Sequence, residues 1–221
     1  MKVNIIGAGG GGSWLVPAMA MLVGKDNVMV MDGDTLEHKN LNRQLFTEAD
    51  IGKNKARALG EKYGCEFVEG WYSYCCLPHH SSDWIIGCVD NMPGRLAILN
   101  SCDEYHCKAI IGGNERTSAD SYFYQPKWKD TKLDPRVYFP EILTETDGDP
   151  TRPEGCTGEA QVQTPQLVSA NFAAAALQQW LYVLWAMEAH KLDREVIPFL
   201  PYRLNMNMTR LETHRICDVQ N

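Results

Sequence analysis

The sequence predicts an α/β chain: a Rossmann-like, doubly wound and mostly parallel sheet, with antiparallel edge strands at its C-terminal end and a long crossover loop before them. Three observations carry that prediction. Strand-like runs alternate with helical ones from Val3 to Glu115, the order that winds a parallel sheet. The run DWIIGCVD at 83–90 is almost continuously apolar, as strands buried on both faces are. A block of glycines in VNIIGAGGGGSWL, 3–15, joins the first strand directly to the first helix. Right-handed crossovers then set the carboxyl ends of the strands along one edge, where ligands bind.

The elements follow in order. Residues 3–6 are the first strand, and a helix runs from Ser13 to Val23 with Pro17 in its first turns, where a missing N–H is tolerated. NVMVMD (27–32) is the second strand. After a polar stretch, KNKARALGEKYG (53–64) is a helix stopped by Gly64. CEFVEGWYS (65–73) and DWIIGCVD are the third and fourth strands, GRLAILNSCDEYH (94–106) a helix, and KAIIGGNE (108–115) the fifth strand. After Tyr124 the pattern breaks. Residues 125–165 hold six of the eleven prolines and read as a long irregular excursion. An apolar helix over about 165–190 comes next, and YRLNMNMTRLETHRI (202–216) alternates as one or two edge strands do.

Composition excludes some partners. The 221 residues carry a formal net charge of -7 at pH 7, which argues against a nucleic-acid partner. The stretch at 167–187 is about as long as a membrane span. It carries Ser169, Asn171, Gln178 and Gln179, so it is expected to be a helix buried in protein and not a membrane anchor. Met1 and Lys2 lead straight into a strand, with no secretory pattern. The eight cysteines form no CxxC pair, and the expectation is reduced thiols in the cytoplasm.

Gly7, Gly9 and Gly12 satisfy G-x-G-x-x-G, and Asp32 falls twenty residues after Gly12 at a strand end. Glycines let a backbone approach phosphate, a helix N-terminus offers free N–H groups, and the carboxylate meets a ribose hydroxyl. That pattern says nucleotide and leaves the nucleotide open. Asn40, Arg43, Gln44 and Lys55 narrow it. A dinucleotide is held largely by backbone N–H groups, whereas a triphosphate needs added cations. Asp90 and Asn91 then stand at the carboxyl end of the fourth strand, where a carboxylate holds Mg²⁺ against phosphate oxygens. Singly, each of these residues also reads as a solvated charge or a strand-end turn; in this order along one edge they reinforce each other.

GAGGGGS, DGDTLEHKNLNRQLF, DIGKNKA and CVDNMPGRLAILN together resemble the ThiF/MoeB/HesA family, adenylating enzymes related to ubiquitin-activating enzyme. The resemblance covers residues 3 to about 115 and is looser beyond. It implies that MgATP binds at the sheet edge. The C-terminal carboxylate of a ubiquitin-like or sulfur-carrier protein ending in glycine then attacks the α-phosphate, and pyrophosphate leaves. By the same resemblance, Gly7, Gly9, Gly10 and Gly12 line the phosphates, Asp32 takes the ribose with Asp34 beside it, and Asn40, Arg43 and Lys55 contact phosphate, supported by Gln44. Asp90 binds or organises Mg²⁺, with Asn91 next to it. Arg43, Lys55 and Asp90 are the expected catalytic groups of this step. The resemblance also implies a homodimer and a separate conjugating enzyme.

Many relatives pass the acyl group to a crossover-loop cysteine. The candidate is Cys156 in RPEGCTGEAQVQTP, where a thiol near a helix start favours thiolate. CCLPHH offers Cys75, Cys76, His79 and His80, but adjacent pairs do not easily aim at one ion, and the family's two zinc-binding CxxC pairs are absent. Zinc is therefore not expected. Relatives also carry an N-terminal extension whose arginine reaches the partner's ATP site. Arg116 and Arg152 are the candidates to replace it. The whole chain reads as one adenylation domain: a nucleotide-binding half at 1–124, a crossover loop at 125–165, and an apolar helix with closing strands at 166–221. Alternatives are an enzyme of the same fold that adenylates a peptide or other carboxylate without a carrier, a non-catalytic partner half, and an NAD(P)-dependent dehydrogenase, which Arg43, Lys55 and Asp90 disfavour.

Overall fold

Eight strands form one sheet in the order β3-β2-β1-β4-β5-β6-β7-β8. They belong to a computed structural model that describes residues 1–115, 117–144, 167–188, 191, 200–207 and 210–219. The parallel half consists of β1 (Val3–Ile6), β2 (Val28–Asp32), β3 (Glu66–Glu69), β4 (Trp84–Gly87) and β5 (Lys108–Asn114). β6 (Ser118–Tyr124), β7 (Pro201–Asn207) and β8 (Arg210–Arg215) add to β5 antiparallel. Helices α1 (Gly10–Val23), α2 (Lys55–Tyr63) and α3 (Met92–Tyr105) link the parallel strands. The short turns α4 (Pro135–Tyr138) and α5 (Glu141–Thr144) follow β6, and α6 (Val168–Tyr182) runs on into a π-helical turn over Val183–Glu188.

The mixed sheet expected from the sequence is thus present, with corrections in detail. α1 begins at Gly10 and not at Ser13, because the glycines themselves make its first turn. Pro17 consequently sits inside the helix, where it removes one backbone bond. β6 was not anticipated. Its sequence SADSYFY does alternate, but the stretch ERT before it carries no glycine or proline to announce a hairpin. The excursion after Tyr124 contains the ordered turns α4 and α5. Cys156, Arg116 and Arg152 lie outside the described residues.

The core lies on both faces of the sheet. β1, β2 and β4 are buried along their whole length. α6 packs a small-residue face, with Ala170, Ala173, Ala174 and Leu177 buried, against the glycine turn of α1. At the antiparallel half, Phe123 stacks on Trp185 with centroids 4.4 Å apart, and Trp84 packs on both Phe123 and Tyr182. Each such aromatic pair contributes about 0.5–1.5 kcal/mol beyond its buried area.

Candidate functional site

β1 pairs with β2 on one side and β4 on the other, so the strand order reverses there and a crevice opens beyond their carboxyl ends. The glycine turn fills the mouth of that crevice. Gly7 has φ +96°, and a Cβ on it would lie 2.9 Å from the Cys88 carbonyl oxygen. A Cβ on Gly12 would overlap the carbonyl oxygen of Gly7. Both glycines are required by the turn itself. Gly9 is different: a Cβ there would meet only Gln44 Nε2, at 3.9 Å. Gly9 caps α1 without any side-chain hydrogen bond, so the first amides of the helix point outward as an anion site does.

Asp32 ends β2 beside this turn and is buried. Its carboxylate accepts from Ala8 N at 2.5 Å and from Asp34 N at 2.7 Å. Burial pushes its carboxyl up to about 6, with nearby Lys55 and the two amides pulling the other way. Lys55 starts α2, is 5% exposed, and donates from Nζ to Asp34 Oδ2 at 2.7 Å. The ammonium is held out of solvent next to the turn, on a carboxylate that is itself half exposed.

The Asn40–Gln44 segment closes the far side. Asn40 is buried, and its Oδ1 accepts from Glu37 N at 3.0 Å. Arg43 donates to the Lys39 carbonyl at 2.8 Å and to Asn42 Oδ1 at 3.1 Å, and makes no ion pair among the described residues. Gln44 is buried, with Oε1 lacking a hydrogen-bond partner. Asp90 is exposed at the end of β4. Asn91 caps α3, accepting from Gly94 N at 2.7 Å, so its oxygen serves the helix.

Two residues escaped the sequence reading as site residues. Asn171 of α6, fully buried, donates to the Arg43 carbonyl at 3.1 Å and accepts from Asn114 Nδ2 at 2.6 Å; its amide also packs where a Cβ on Gly10 would stand. Gln178 donates to the Gly87 carbonyl at 2.7 Å and accepts from Cys88 Sγ at 3.2 Å. Two of the four polar residues that spoke against a membrane span, Asn171 and Gln178, are ties between α6 and the crevice, and Gln179 donates to the Ala18 carbonyl of α1 at 3.2 Å. Among the described residues no helix is long and apolar enough to cross a membrane.

Residues 1–63 match the ThiF family. The ThiF-like region therefore holds the glycine turn, Asp32, the Asn40–Gln44 segment and Lys55. The NEDD8-activating enzyme E1 catalytic subunit of Caenorhabditis elegans is 29% identical over 225 residues, covering 88% of this chain and 51% of that protein. Ubiquitin-like modifier-activating enzyme 5 of Bombyx mori is 26% identical over 131 residues, covering 50% and 33%. The chain spans about half the length of the C. elegans relative and less of the other. Among solved structures, Escherichia coli MccB with ATP has a TM-score of 0.65 at 17% identity, covering 97% of this chain and 63% of that one. PaaA has a TM-score of 0.61 at 20% identity, covering 97% and 72%. These likenesses show the fold, a ThiF-like Rossmann sheet with an antiparallel extension.

The rest of the chain holds less chemistry. Cys88 sits under the glycine turn, and burial pushes its thiol up to about 12, which keeps it protonated and inert. CCLPHH does not gather around one point. His79 is buried with Nδ1 beside Asn4 Nδ2 at 3.2 Å and Nε2 beside the Tyr72 hydroxyl at 3.0 Å, so neither nitrogen is turned toward Cys75 or Cys76. Among the described residues no three His, Cys, Asp or Glu side chains cluster as metal ligands do. An open cavity of about 660 Å³ lies past the ends of β2 and β3, lined by Gly33, Lys53, Asn54, Arg57, Glu69 and Trp71 among others. Its cations are paired with Glu61 and Glu69.

Proposed function

We propose that this chain is the adenylation domain of an ATP-dependent activating enzyme, which adenylates the C-terminal carboxylate of a ubiquitin-like or sulfur-carrier protein. The observation that carries the reading is the uncapped glycine turn of α1 with Asp32, Lys55 and Arg43 around it, at the strand-order reversal. The ThiF match over the same residues supports it, as do the activating-enzyme names of the relatives.

On this reading the phosphates lie on the amides of Gly9, Gly10 and Gly12, past Gly7, and the ribose hydroxyls donate to Asp32. Lys55 turns from Asp34 to phosphate, and Arg43 supplies a two-pronged donor. Asn40 and Gln44 line the same wall. Gln44 Oε1, buried without a partner, would accept a donor from the ligand. The donor set suits Mg²⁺: one exposed carboxylate, Asp90, beside Asn91, with the remaining positions left to phosphate oxygens and water. When bound, the ion neutralises phosphate charge. A substrate carboxylate oxygen attacks the α-phosphorus, the bond to the bridging oxygen of pyrophosphate breaks, and an acyl adenylate remains. The chain's contribution is position and fixed charge. The Cys156 thiol would then attack the acyl carbon, releasing AMP and a proton and leaving a thioester. A homodimer, a separate conjugating enzyme, a cytoplasmic site of action and a single domain over 1–221 belong to the same proposal.

The test is ATP–pyrophosphate exchange with ubiquitin-like proteins ending in glycine from the same genome. Exchange with at least one carrier, lost in Asp90→Ala, is expected. Exchange with short peptides and with none of the carriers would replace the carrier by a peptide substrate. No exchange with either would end the reading. A covalent, thiol-sensitive carrier adduct that persists in Cys156→Ala would remove Cys156 as acceptor.

A further inference from the structure

The antiparallel half carries buried polar atoms that nothing in the fold uses. Arg95 Nε, the Tyr122 hydroxyl and the Tyr138 hydroxyl are all buried without a hydrogen-bond partner. They belong to one neighbourhood. The Tyr122 and Tyr138 rings meet edge to face at 6.3 Å. The Arg95 charge acts directly on Tyr122, and the Arg95 guanidinium lies on Gly113, where a Cβ would stand 2.5 Å from Nη2. Tyr122 itself is 4% exposed.

The neighbourhood borders the crevice. Gly87 of β4 pairs with Ile111 of β5, and Ile111 pairs with Tyr122 of β6. Gly113 lies two residues past that pairing, toward the carboxyl edge where Asp90 follows β4. Arg95 lies in the first turns of α3, whose cap is Asn91.

The chemistry is one-sided. Asp120, a carboxylate whose charge acts on Tyr122, is taken by Arg203, whose Nε donates to Oδ1 at 3.1 Å and to Oδ2 at 3.0 Å, and by Asn205 at 3.3 Å. Arg95 Nη1 has only the Met92 sulfur, at 3.9 Å. Burial pushes the Tyr122 phenol well up, so it stays a donor at neutral pH. Arg95 is only partly buried as a residue, but its Nε is shut off from solvent without a partner; a donor so placed gains from an arriving anion, and Arg offers a carboxylate a two-pronged donor.

We infer that Arg95, Tyr122 and Tyr138 form the receiving site for the carboxylate that is to be adenylated. The inference rests on the proposed function and names its substrate end. Arg95 holds one carboxylate oxygen and the tyrosine hydroxyls orient it, with the second oxygen turned toward the edge where Asp90 stands. The role is binding and alignment, which converts a bimolecular attack into a local one.

The experiment uses the full chain and two probes, N-acetyl-glycylglycine and its C-terminal amide, with binding read by saturation-transfer NMR. MgATP affinity is measured alongside with a fluorescent ATP analogue. The acid should bind at least tenfold more tightly than the amide. Arg95→Gln and Tyr122→Phe should each weaken the acid at least fivefold and leave the ATP analogue unaffected. Equal binding of acid and amide, no binding of the acid, or unchanged binding in both variants would overturn the inference. Should Arg95→Gln not fold, Tyr122→Phe decides alone, since it removes one oxygen. Failure of the ATP analogue to bind wild-type protein would count against the proposed function and not against the anion site, so the two failures are distinguishable.

Discussion

The two ends of the parallel strands are both rich in chemistry-bearing side chains, and they differ in how those side chains are used. At the amino end, His79 has both ring nitrogens against Asn4 and Tyr72, Asp83 accepts from Lys2 N and His80 N, and Cys102 and Cys107 are buried 3.5 Å apart. Each of these side chains already has a neighbour there. At the carboxyl end, α1 lacks a side-chain cap, Gln44 Oε1 is buried without a partner, and Arg43 has no ion pair among the described residues. Hydrogen-bonding capacity left open inside a folded chain costs about 1–3 kcal/mol per group. It is therefore the better mark of a binding site than a concentration of histidines and cysteines.

Substitutions can break that contrast, and the largest effect should come from the turn itself. Gly12→Ala puts a methyl into the Gly7 carbonyl, so a loss of about 3 kcal/mol or more in urea unfolding is expected. Gly9→Ala has room for its methyl. It should unfold within about 1 kcal/mol of wild type and still bind the ATP analogue poorly, because the added carbon stands where phosphate would approach. Lys55→Met keeps the packing and removes the charge. A loss of roughly 30-fold in ATP-analogue affinity, about 2 kcal/mol, is expected with little change in unfolding. His79→Phe at the other end should do the reverse: about 1.5 kcal/mol less stable, since Asn4 and Tyr72 lose their partner, with ATP-analogue affinity unchanged. If His79→Phe abolishes nucleotide binding while Lys55→Met does not, the contrast is wrong.

The smallest effect is on pH dependence, and its sign differs between the two ends. Burial raises the Asp32 carboxyl to about 6, so the folded chain holds that proton more tightly than the unfolded chain. Stability from this group is present below the usual carboxylate range and is lost as pH rises from about 4 to about 6. Burial lowers His79, with Asp83 offsetting part of it. Its contribution is present above the usual histidine value of about 6.5 and is lost as pH falls below it. Nucleotide binding needs Asp32 ionised to accept the ribose hydroxyls, so affinity should fall by about tenfold between pH 7 and pH 5. An affinity that is flat across that range would detach Asp32 from the ribose.

Much of this was legible in sequence. The parallel half is built from short-range signals: apolar runs for β1, β2 and β4, glycine punctuation around α1 and α2, and charged residues that follow strand ends. Gly7, Asp32, Lys55 and Asp90 could be named because their chemistry depends on where they fall relative to a strand end. The antiparallel half was less legible. β6 pairs with β7 across more than seventy residues, and no local pattern announces a partner that distant. Cys156 was singled out by sequence and lies outside the described residues.

By itself the sequence determined the class of the sheet, the glycine turn and the set of charged residues at its edge, because strand period, glycine sterics and motif order are all local properties of a chain. Only the tertiary structure decided which polar groups are spent and which are open. It spent Asn171 and Gln178 on tying α6 to the crevice, turned His79 away from the cysteines, and left Arg95 Nε and the Tyr122 hydroxyl buried without hydrogen-bond partners. Those outcomes depend on contacts between residues far apart in the chain, and burial is a property of the assembled fold.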